Sequence, residues 1–169
     1  TPLGTFQKLI ELQKQGRVNL SSAFYVGLDE WAGLGREVKG SCFQVMYDSF
    51  YDPAGIQPDH VEVFHGDSAD MEKECDRINS WITARGGIDL VLLGVGMNGH
   101  VGFNEPGGPD REGCFPVPLD EVTKKVSVKY FGQELPVTYG LTIGWKTLKK
   151  SKRVFVLANG MKKAPVMKR

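Results

Sequence analysis

The chain has 169 residues and a formal net charge of +1 at pH 7, with 41% hydrophobic and 24% charged residues. This length and composition are typical of one globular domain with a sizeable core. The near-neutral charge gives no reason to expect a nucleic acid or an anionic membrane as partner. No apolar run approaches the ~20 residues of a membrane span either.

The first half of the chain alternates helical and strand patterns. Thr1 and Pro2 form a good helix start, and Gly16 is expected to end that helix. The next helix should stop before Pro53, and the one after it should have Ser68 or Asp70 as its N-cap and end at Gly86. The ranges, in chain order, are helix 1–16, a short buried strand within 22–30 that runs out into a loop at Gly27, helix 42–52, strand 61–67 and helix 68–86.

The second half contains the clearest strand, "IDLVLLGVG" at 88–96, a continuous apolar run typical of a parallel strand covered on both faces. Residues 104–120, rich in Gly, Pro and charge, are predicted to form a long loop. A helix over 120–131, a strand or turn and then a helix within 139–151, and a buried strand over 153–160 follow. Pro165 indicates a late start or a kink in the last helix.

Both ends of the sequence suggest a fragment of a longer chain. It opens directly on a helical pattern at Thr1 and stops at Arg169 within an expected helix. We expect a single α/β domain over residues 1–169.

Strands that alternate with helices predict an α/β fold with a parallel sheet. In such sheets ligands bind beyond the carboxyl ends of the strands. Three segments lie at those ends, namely 28–30, 96–105 and 158–162. We therefore expect them to converge on one site.

The segment "GVGMNGHVGFNEPGG", residues 94–108, has the G-x-G-x-x-G spacing of a dinucleotide-binding loop. That loop works only when a helix follows it, because the helix N-terminus holds the pyrophosphate. Here Pro106 comes too soon after Gly99 for a helix of ordinary length. We therefore expect no nucleotide cofactor.

The same segment carries a dense set of polar side chains, namely Asn98, His100, Asn104 and Glu105. A tight turn would let His100 and Glu105 face each other, which gives an imidazole oriented by a carboxylate, as in general-base sites. The alternative is a structural histidine beside a glutamate that caps a turn. The density of polar groups among glycines at a strand end favours the site.

The segment "LLGVGMNGHVGFNEPG" resembles the signature of the glucosamine-6-phosphate deaminase (isomerase) family. The resemblance continues, in order, through "TPLGTFQKLIEL", "FYVGLDEWAGL", "FHGDSADMEKEC", "YGLTIGWKTL" and "RVFVLANGMKKA". It implies a Rossmann-like, three-layer parallel sheet. It also implies the conversion of an aminosugar 6-phosphate and water into a ketose 6-phosphate and ammonia, without a cofactor.

The resemblance also implies roles for individual residues. Asp29 matches the base that moves a proton between C2 and C1, and His100 matches the base that opens the sugar ring. Glu105 and Asn98 match the residues that assist His100. The positions predicted to bind substrate are Thr1, Glu30, Gly94, Gly96, Lys129 and Lys162, with Thr1, Lys129 and Lys162 expected at the phosphate.

Three cysteines, widely spaced and without a C-x-x-C pair, predict free thiols in a cytoplasmic protein. We expect no metal site, because only His100 has a plausible carboxylate neighbour. The partner is expected to be a small sugar phosphate. The sequence leaves open whether the chain is a monomer or a homo-oligomer.

Residues 107–131 lack the S-R-T and N-x-R elements of many glucosamine-6-phosphate enzymes, so a galactosamine-6-phosphate isomerase stays open. The sequence also leaves open a 6-phosphogluconolactonase and a non-catalytic sugar-phosphate-binding module. Glu105 argues against the lactonase, since the run after the histidine is "FNEP" here. The presence of Asp29, His100 and Glu105 together argues against the binding module.

Overall fold

The computed structural model describes residues 2–133 and 135–168, without the side chains of Val122, Val126 and Lys129. The described helices are α1 (Leu3–Lys14), α2 (Cys42–Met46), α3 (Met71–Ala84), α4 (Glu121–Phe131), α5 (Trp145–Lys149) and α6 (Ala164–Met167). The described strands are β1 (Tyr25–Val26), β2 (Asp29–Trp31), β3 (Val61–Glu62), β4 (Leu90–Gly94), β5 (Cys114–Pro118), β6 (Tyr139–Ile143) and β7 (Arg153–Leu157). A π-helical turn, Tyr47–Tyr51, extends α2.

The strands form two parallel pairs and one antiparallel sheet. β1 pairs with β3 and β4 with β7, both parallel, and β6 lies between β2 and β5 in antiparallel order. The parallel pairs and the alternation with helices confirm the predicted α/β class. The antiparallel sheet, which brings Asp29 opposite Thr142, was not predicted from the sequence.

Alternate side chains of β4 enter different parts of the core. Leu93 is fully buried in a cluster with Ile78 of α3 and Leu141 of β6, whereas Leu92 packs against a second cluster built on α1, β1 and β3. A strand with apolar contacts on both faces needs a continuous apolar sequence. The prediction that β4 is covered on both faces is confirmed only in part, because Val91 and Leu93 are buried on one face while Leu90 on the other face is 54% exposed.

Both ends of α3 follow the predicted capping signals, whereas α1 has Pro2 at its N-cap position and the predicted N-cap, Thr1, lies outside the described residues. The Asp70 carboxylate accepts a hydrogen bond from the Lys73 N–H (3.1 Å) as the N-cap of α3, and Gly86 has a left-handed φ of 77° beyond its end. Pro165 lies in the first turn of α6, so this helix starts late and Pro165 does not kink it. No described helix is both long enough and apolar enough to cross a membrane.

Three predictions about strands were wrong. The loop expected after Gly27 is only two residues long, because β2 begins at Asp29 in a different sheet from β1. Residues 104–120 contain β5 although Pro116 and Pro118 lie in it, because an edge strand needs hydrogen bonds on only one side. β7 was expected to be buried, but Arg153, Val154, Phe155 and Val156 are exposed. Among the described strands only β4 pairs with β7, and the described elements leave its side chains uncovered.

Candidate active site

The loop after β4 turns back on itself and does not lead into a helix. The N–H of Gly96 donates to the His100 carbonyl (2.7 Å), and the N–H of Gly99 donates to the Gly96 carbonyl (3.2 Å). Gly99 has a φ of 103°, a conformation that favours glycine. The next helix is α4, which begins only at Glu121. The glycines therefore form a tight turn, as expected from Pro106.

His100 and Glu105 face each other across this turn. The His100 Nδ1 atom lies 3.9 Å from Glu105 Oε1, and Nδ1 is buried without a hydrogen-bond partner among the described residues. Asn98 contacts both residues: its Nδ2 donates to Glu105 Oε2 (2.7 Å), and its Oδ1 accepts from the His100 N–H (3.1 Å). The structure thus brings together three of the predicted site residues.

Asp29, at the start of β2, lies against the same loop. A Cβ added to Gly102 would lie 3.4 Å from Asp29 Oδ2 and 2.8 Å from Thr142 Oγ1. The Thr142 hydroxyl also accepts a hydrogen bond from the Phe103 N–H (3.2 Å). Strands β2 and β6 therefore hold the Asp29 carboxylate beside the turn that carries His100.

Burial raises the pKa of the Asp29 carboxyl to about 6, while a hydrogen bond from the Cys42 thiol acts in the opposite direction. The pKa of the Cys42 thiol is raised well above its ordinary value, first by burial and then by the charges of Asp29 and Glu30. A carboxyl with a pKa near 6 is suited to taking up and returning a proton near neutral pH. The Asp29 side chain has the chemical character of a general base.

Glu30 has a structural position that argues against the predicted substrate contact. Its side chain is 2% exposed, and its carboxylate accepts hydrogen bonds from the N–H groups of Trp31 (2.8 Å), Cys42 (2.9 Å) and Phe43 (2.7 Å). Burial raises the pKa of Glu30, and these three hydrogen bonds oppose that rise. Because two of the donors open α2, Glu30 anchors that helix beside Asp29.

The predicted glycines differ in their surroundings. A Cβ on Gly96 would overlap the His100 ring, whereas a Cβ on Gly94 would meet no heavy atom within 4 Å. The Gly96 N–H is already bonded to His100 and is not free for a substrate. Gly96 therefore contributes space for the imidazole, and Gly94 is a strand residue paired with Leu157.

The residues that follow the third predicted segment, 158–162, reach this loop. A Cβ on Gly99 would lie 3.1 Å from Val166 of α6, and the Lys163 ammonium donates to the Val95 carbonyl just beyond β4. Lys162 is exposed in the same turn. Thr1 and the Lys129 side chain lie outside the described part of the structure, so their phosphate-binding roles stay predictions.

Four further residues contact the candidate site and were not predicted from the sequence, namely Cys42, Thr123, Thr142 and Lys163. Thr123 donates its hydroxyl to Glu105 Oε1 (3.0 Å) from the first turn of α4. Each of these side chains reaches the site only through the packing of separate elements, which leaves no signal in the local sequence. The three cysteines are free thiols, and the described residues contain no group of three or more His, Cys, Asp or Glu that could hold a metal ion.

The family model described as "Glucosamine-6-phosphate isomerases/6-phosphogluconolactonase" matches residues 1–169. The chain belongs to this family. The glucosamine-6-phosphate deaminase of Bacillus pumilus is 40% identical over 99% of this chain and 70% of its own length. That of Thermoanaerobacter pseudethanolicus is 35% identical over 99% of this chain and 67% of its own length.

Solved structures of the family have the same fold. A monomeric glucosamine-6-phosphate deaminase has a TM-score of 0.92 and 34% sequence identity, over 99% of this chain and 70% of that one. A 6-phosphogluconolactonase from Thermotoga maritima, 22% identical, has a TM-score of 0.75 over the same shares of the two chains. The second similarity concerns the fold alone. The family resemblance predicted from the sequence is confirmed.

Proposed function

We propose that this chain is a deaminating aldose–ketose isomerase of the family. It converts an aminosugar 6-phosphate and water into a ketose 6-phosphate and ammonia. The observation that carries the proposal is the placement of the Asp29 carboxylate against the turn that holds the His100–Glu105 pair. Relatives named glucosamine-6-phosphate deaminase, 33–40% identical in sequence, support it.

The first step is ring opening, in which His100 acts as base and acid in turn. The imidazole takes the proton of the sugar's O1 hydroxyl and returns it to the ring oxygen as the C1–oxygen bond breaks. Glu105, with its Oε1 3.9 Å from His100 Nδ1, stabilises the imidazolium that forms between these events. The Asn98 amide donates a hydrogen bond to the other carboxylate oxygen of Glu105 and accepts one from the His100 backbone N–H.

The second step moves a proton between neighbouring carbons. The open-chain aldehyde makes the C2 hydrogen acidic, and Asp29 removes it to give an enolamine. Asp29 then delivers the proton to C1, which leaves an imine at C2, and water replaces the nitrogen so that ammonia departs. A carboxyl with a pKa of about 6 is ionised at neutral pH and still basic enough for this transfer.

The substrate phosphate requires cations and N–H donors. Lys162 is the proposed cation at the end of the 158–162 segment, and Thr1 and Lys129 are proposed to bind the phosphate with it. Both gluco and galacto configurations remain within the proposal, because residues 107–131 lack the elements that mark many glucosamine-6-phosphate enzymes. Free thiols favour the cytoplasm as the site of the reaction.

An assay of ammonia release tests the proposal with either aminosugar 6-phosphate as substrate. We expect ammonia and ketose 6-phosphate in equal amounts from at least one of the two. Hydrolysis of 6-phosphogluconolactone without ammonia release would instead assign the chain to the lactonase branch. Binding of the aminosugar 6-phosphates, without turnover of either of them or of 6-phosphogluconolactone, would indicate a binding module and overturn the proposal.

A further inference from the structure

Thr123 connects α4 to the candidate active site. It is 4% exposed in the first turn of α4, where its N–H donates to the Asp120 carboxylate (2.5 Å) at the N-cap. Its hydroxyl donates to Glu105 Oε1 (3.0 Å), a residue 18 positions away in the chain. The helix N-terminus therefore fixes the backbone from which this hydroxyl reaches the carboxylate.

The two oxygens of Glu105 have different partners. Oε2 accepts from Asn98 (2.7 Å), while Oε1 accepts from Thr123 and is also the oxygen that faces His100 Nδ1. One donor on each oxygen prevents the carboxylate from rotating about its last bond. At 3.9 Å the imidazole Nδ1 lies beyond hydrogen-bond distance of Oε1, so the ring must move towards the carboxylate to pair with it, and the orientation of the carboxylate sets the direction of that pairing.

Ser127, one turn further along α4, shows the ordinary alternative for a buried helical hydroxyl. Its Oγ donates to the Lys124 carbonyl of the same helix (2.6 Å), and the residue is 1% exposed. Hydroxyl groups in helices commonly bond to backbone in this way. Thr123 instead bonds to a side chain of the site, which points to a role beyond the stability of α4.

We propose that Thr123 is a positioning residue that holds Glu105 Oε1 towards His100 Nδ1 and so selects the tautomer of the imidazole. A carboxylate facing Nδ1 keeps the proton of the neutral ring on that nitrogen. Nε2 is then unprotonated and free to accept the sugar's hydroxyl proton. The consequence for catalysis rests on the proposed function, whereas the tautomer is a property of the free protein.

The test compares Thr123→Val, which has a similar shape but no hydroxyl, with Thr123→Ser, which retains one. Thr123→Ala is measured in parallel as a smaller replacement, and Ser127→Ala is the matched control in the same helix. Nitrogen-15 NMR of His100 in the free proteins reports the tautomer. We expect the Nδ1–H form to dominate in the unaltered chain, Thr123→Ser and Ser127→Ala, and a mixture of tautomers in Thr123→Val and Thr123→Ala.

In the ammonia assay Thr123→Val should lower kcat by about 10-fold, with KM changed by less than about two-fold, because the lost interaction acts on the chemical step. Thr123→Ser should restore most of kcat. An unchanged His100 tautomer in both Thr123→Val and Thr123→Ala would overturn the proposal. A change in the tautomer and in kcat that is as large in Ser127→Ala as in Thr123→Val would also overturn it. If the chain releases no ammonia, the proposed function fails, and the NMR result still decides the role of Thr123.

Discussion

Gly96 lacks a side chain at the point where the His100 ring packs against the backbone. Any Cβ there would overlap the imidazole, whereas one at Gly94 would meet nothing within 4 Å. Neither glycine has a positive φ, so alanine strains the backbone at neither position. The two positions therefore separate a steric effect on the imidazole from a general effect of replacing glycine.

Gly96→Ala should lower kcat/KM for ammonia release by about 100-fold, because a small displacement of a reacting group has an effect of that size. Gly94→Ala should remain within about two-fold of the unaltered chain. Steady-state kinetics of the two variants checks this expectation. Equal losses in both would show that the position of the His100 ring does not depend on Gly96.

The Cys42 thiol hydrogen bond lowers the pKa of Asp29, in opposition to the effect of burial. Without the thiol the carboxylate is less stabilised, so its pKa should rise above about 6. The acid limb of the profile of kcat/KM against pH should therefore move to higher pH in Cys42→Ala. Cys75→Ala, which removes a buried thiol from the α3 core, is the control and should leave that limb in place. A limb that stays fixed in Cys42→Ala contradicts this account of Asp29.

The residues of the candidate site differ in how well they can be predicted from the sequence. Asp29, His100 and Glu105 are predictable because each is polar and follows an apolar strand, β1 or β4, in a segment expected at the carboxyl edge of the sheet. Thr123 and Cys42 lie within helices of their own. Their contacts with Glu105 and Asp29 depend on how those helices pack, which no local pattern specifies.

At the scale of elements, Glu30 connects β2 to the N-terminus of α2. Its buried carboxylate satisfies the N–H groups of Cys42 and Phe43, which have no acceptor within the helix. A glutamine would turn an N–H₂ group towards one of these donors. Glu30→Gln should therefore lower the free energy of unfolding by about 1–3 kcal/mol.

Urea unfolding of Glu30→Gln, with Glu37→Gln as an exposed control, measures this loss. The control should stay within about 0.5 kcal/mol of the unaltered chain. A Glu30→Gln variant as stable as the control, but with weakened substrate binding, would show that Glu30 contacts the substrate after all.

The sequence predicts most helices and the β4 strand well, because caps and apolar periodicity are local. Prediction from local patterns fails for β5, because its two prolines and charged neighbours are typical of a loop. That strand exists because β6 offers it hydrogen-bond partners. It also fails for β7, whose apolar residues are typical of a buried strand yet are exposed, since burial depends on elements distant in the chain.

At the scale of the whole molecule, Asp29 should reduce the stability of the fold at neutral pH. Its pKa rises from 3.8 to about 6 on folding, so the folded state binds this proton more tightly than the unfolded state does. The contribution of Asp29 to stability is therefore most favourable below pH 4 and is lost as the pH rises towards 6. At pH 7 the cost is on the order of 2–3 kcal/mol at most.

Asp29→Asn should accordingly be more stable than the unaltered chain at pH 7, with the difference much smaller at pH 4. Urea unfolding of both proteins at the two pH values measures the effect. An Asp29→Asn variant whose stability relative to the unaltered chain is the same at both pH values would contradict the raised pKa.

In the proposed reaction, His100 opens the ring of an aminosugar phosphate and Asp29 then moves its C2 proton. Exchange of the C2 hydrogen with deuterium from solvent, followed by NMR for both aminosugar 6-phosphates, tests it most directly. We predict exchange in the unaltered chain and its loss in Asp29→Asn, with substrate binding retained in that variant. Undiminished exchange in Asp29→Asn would contradict the account.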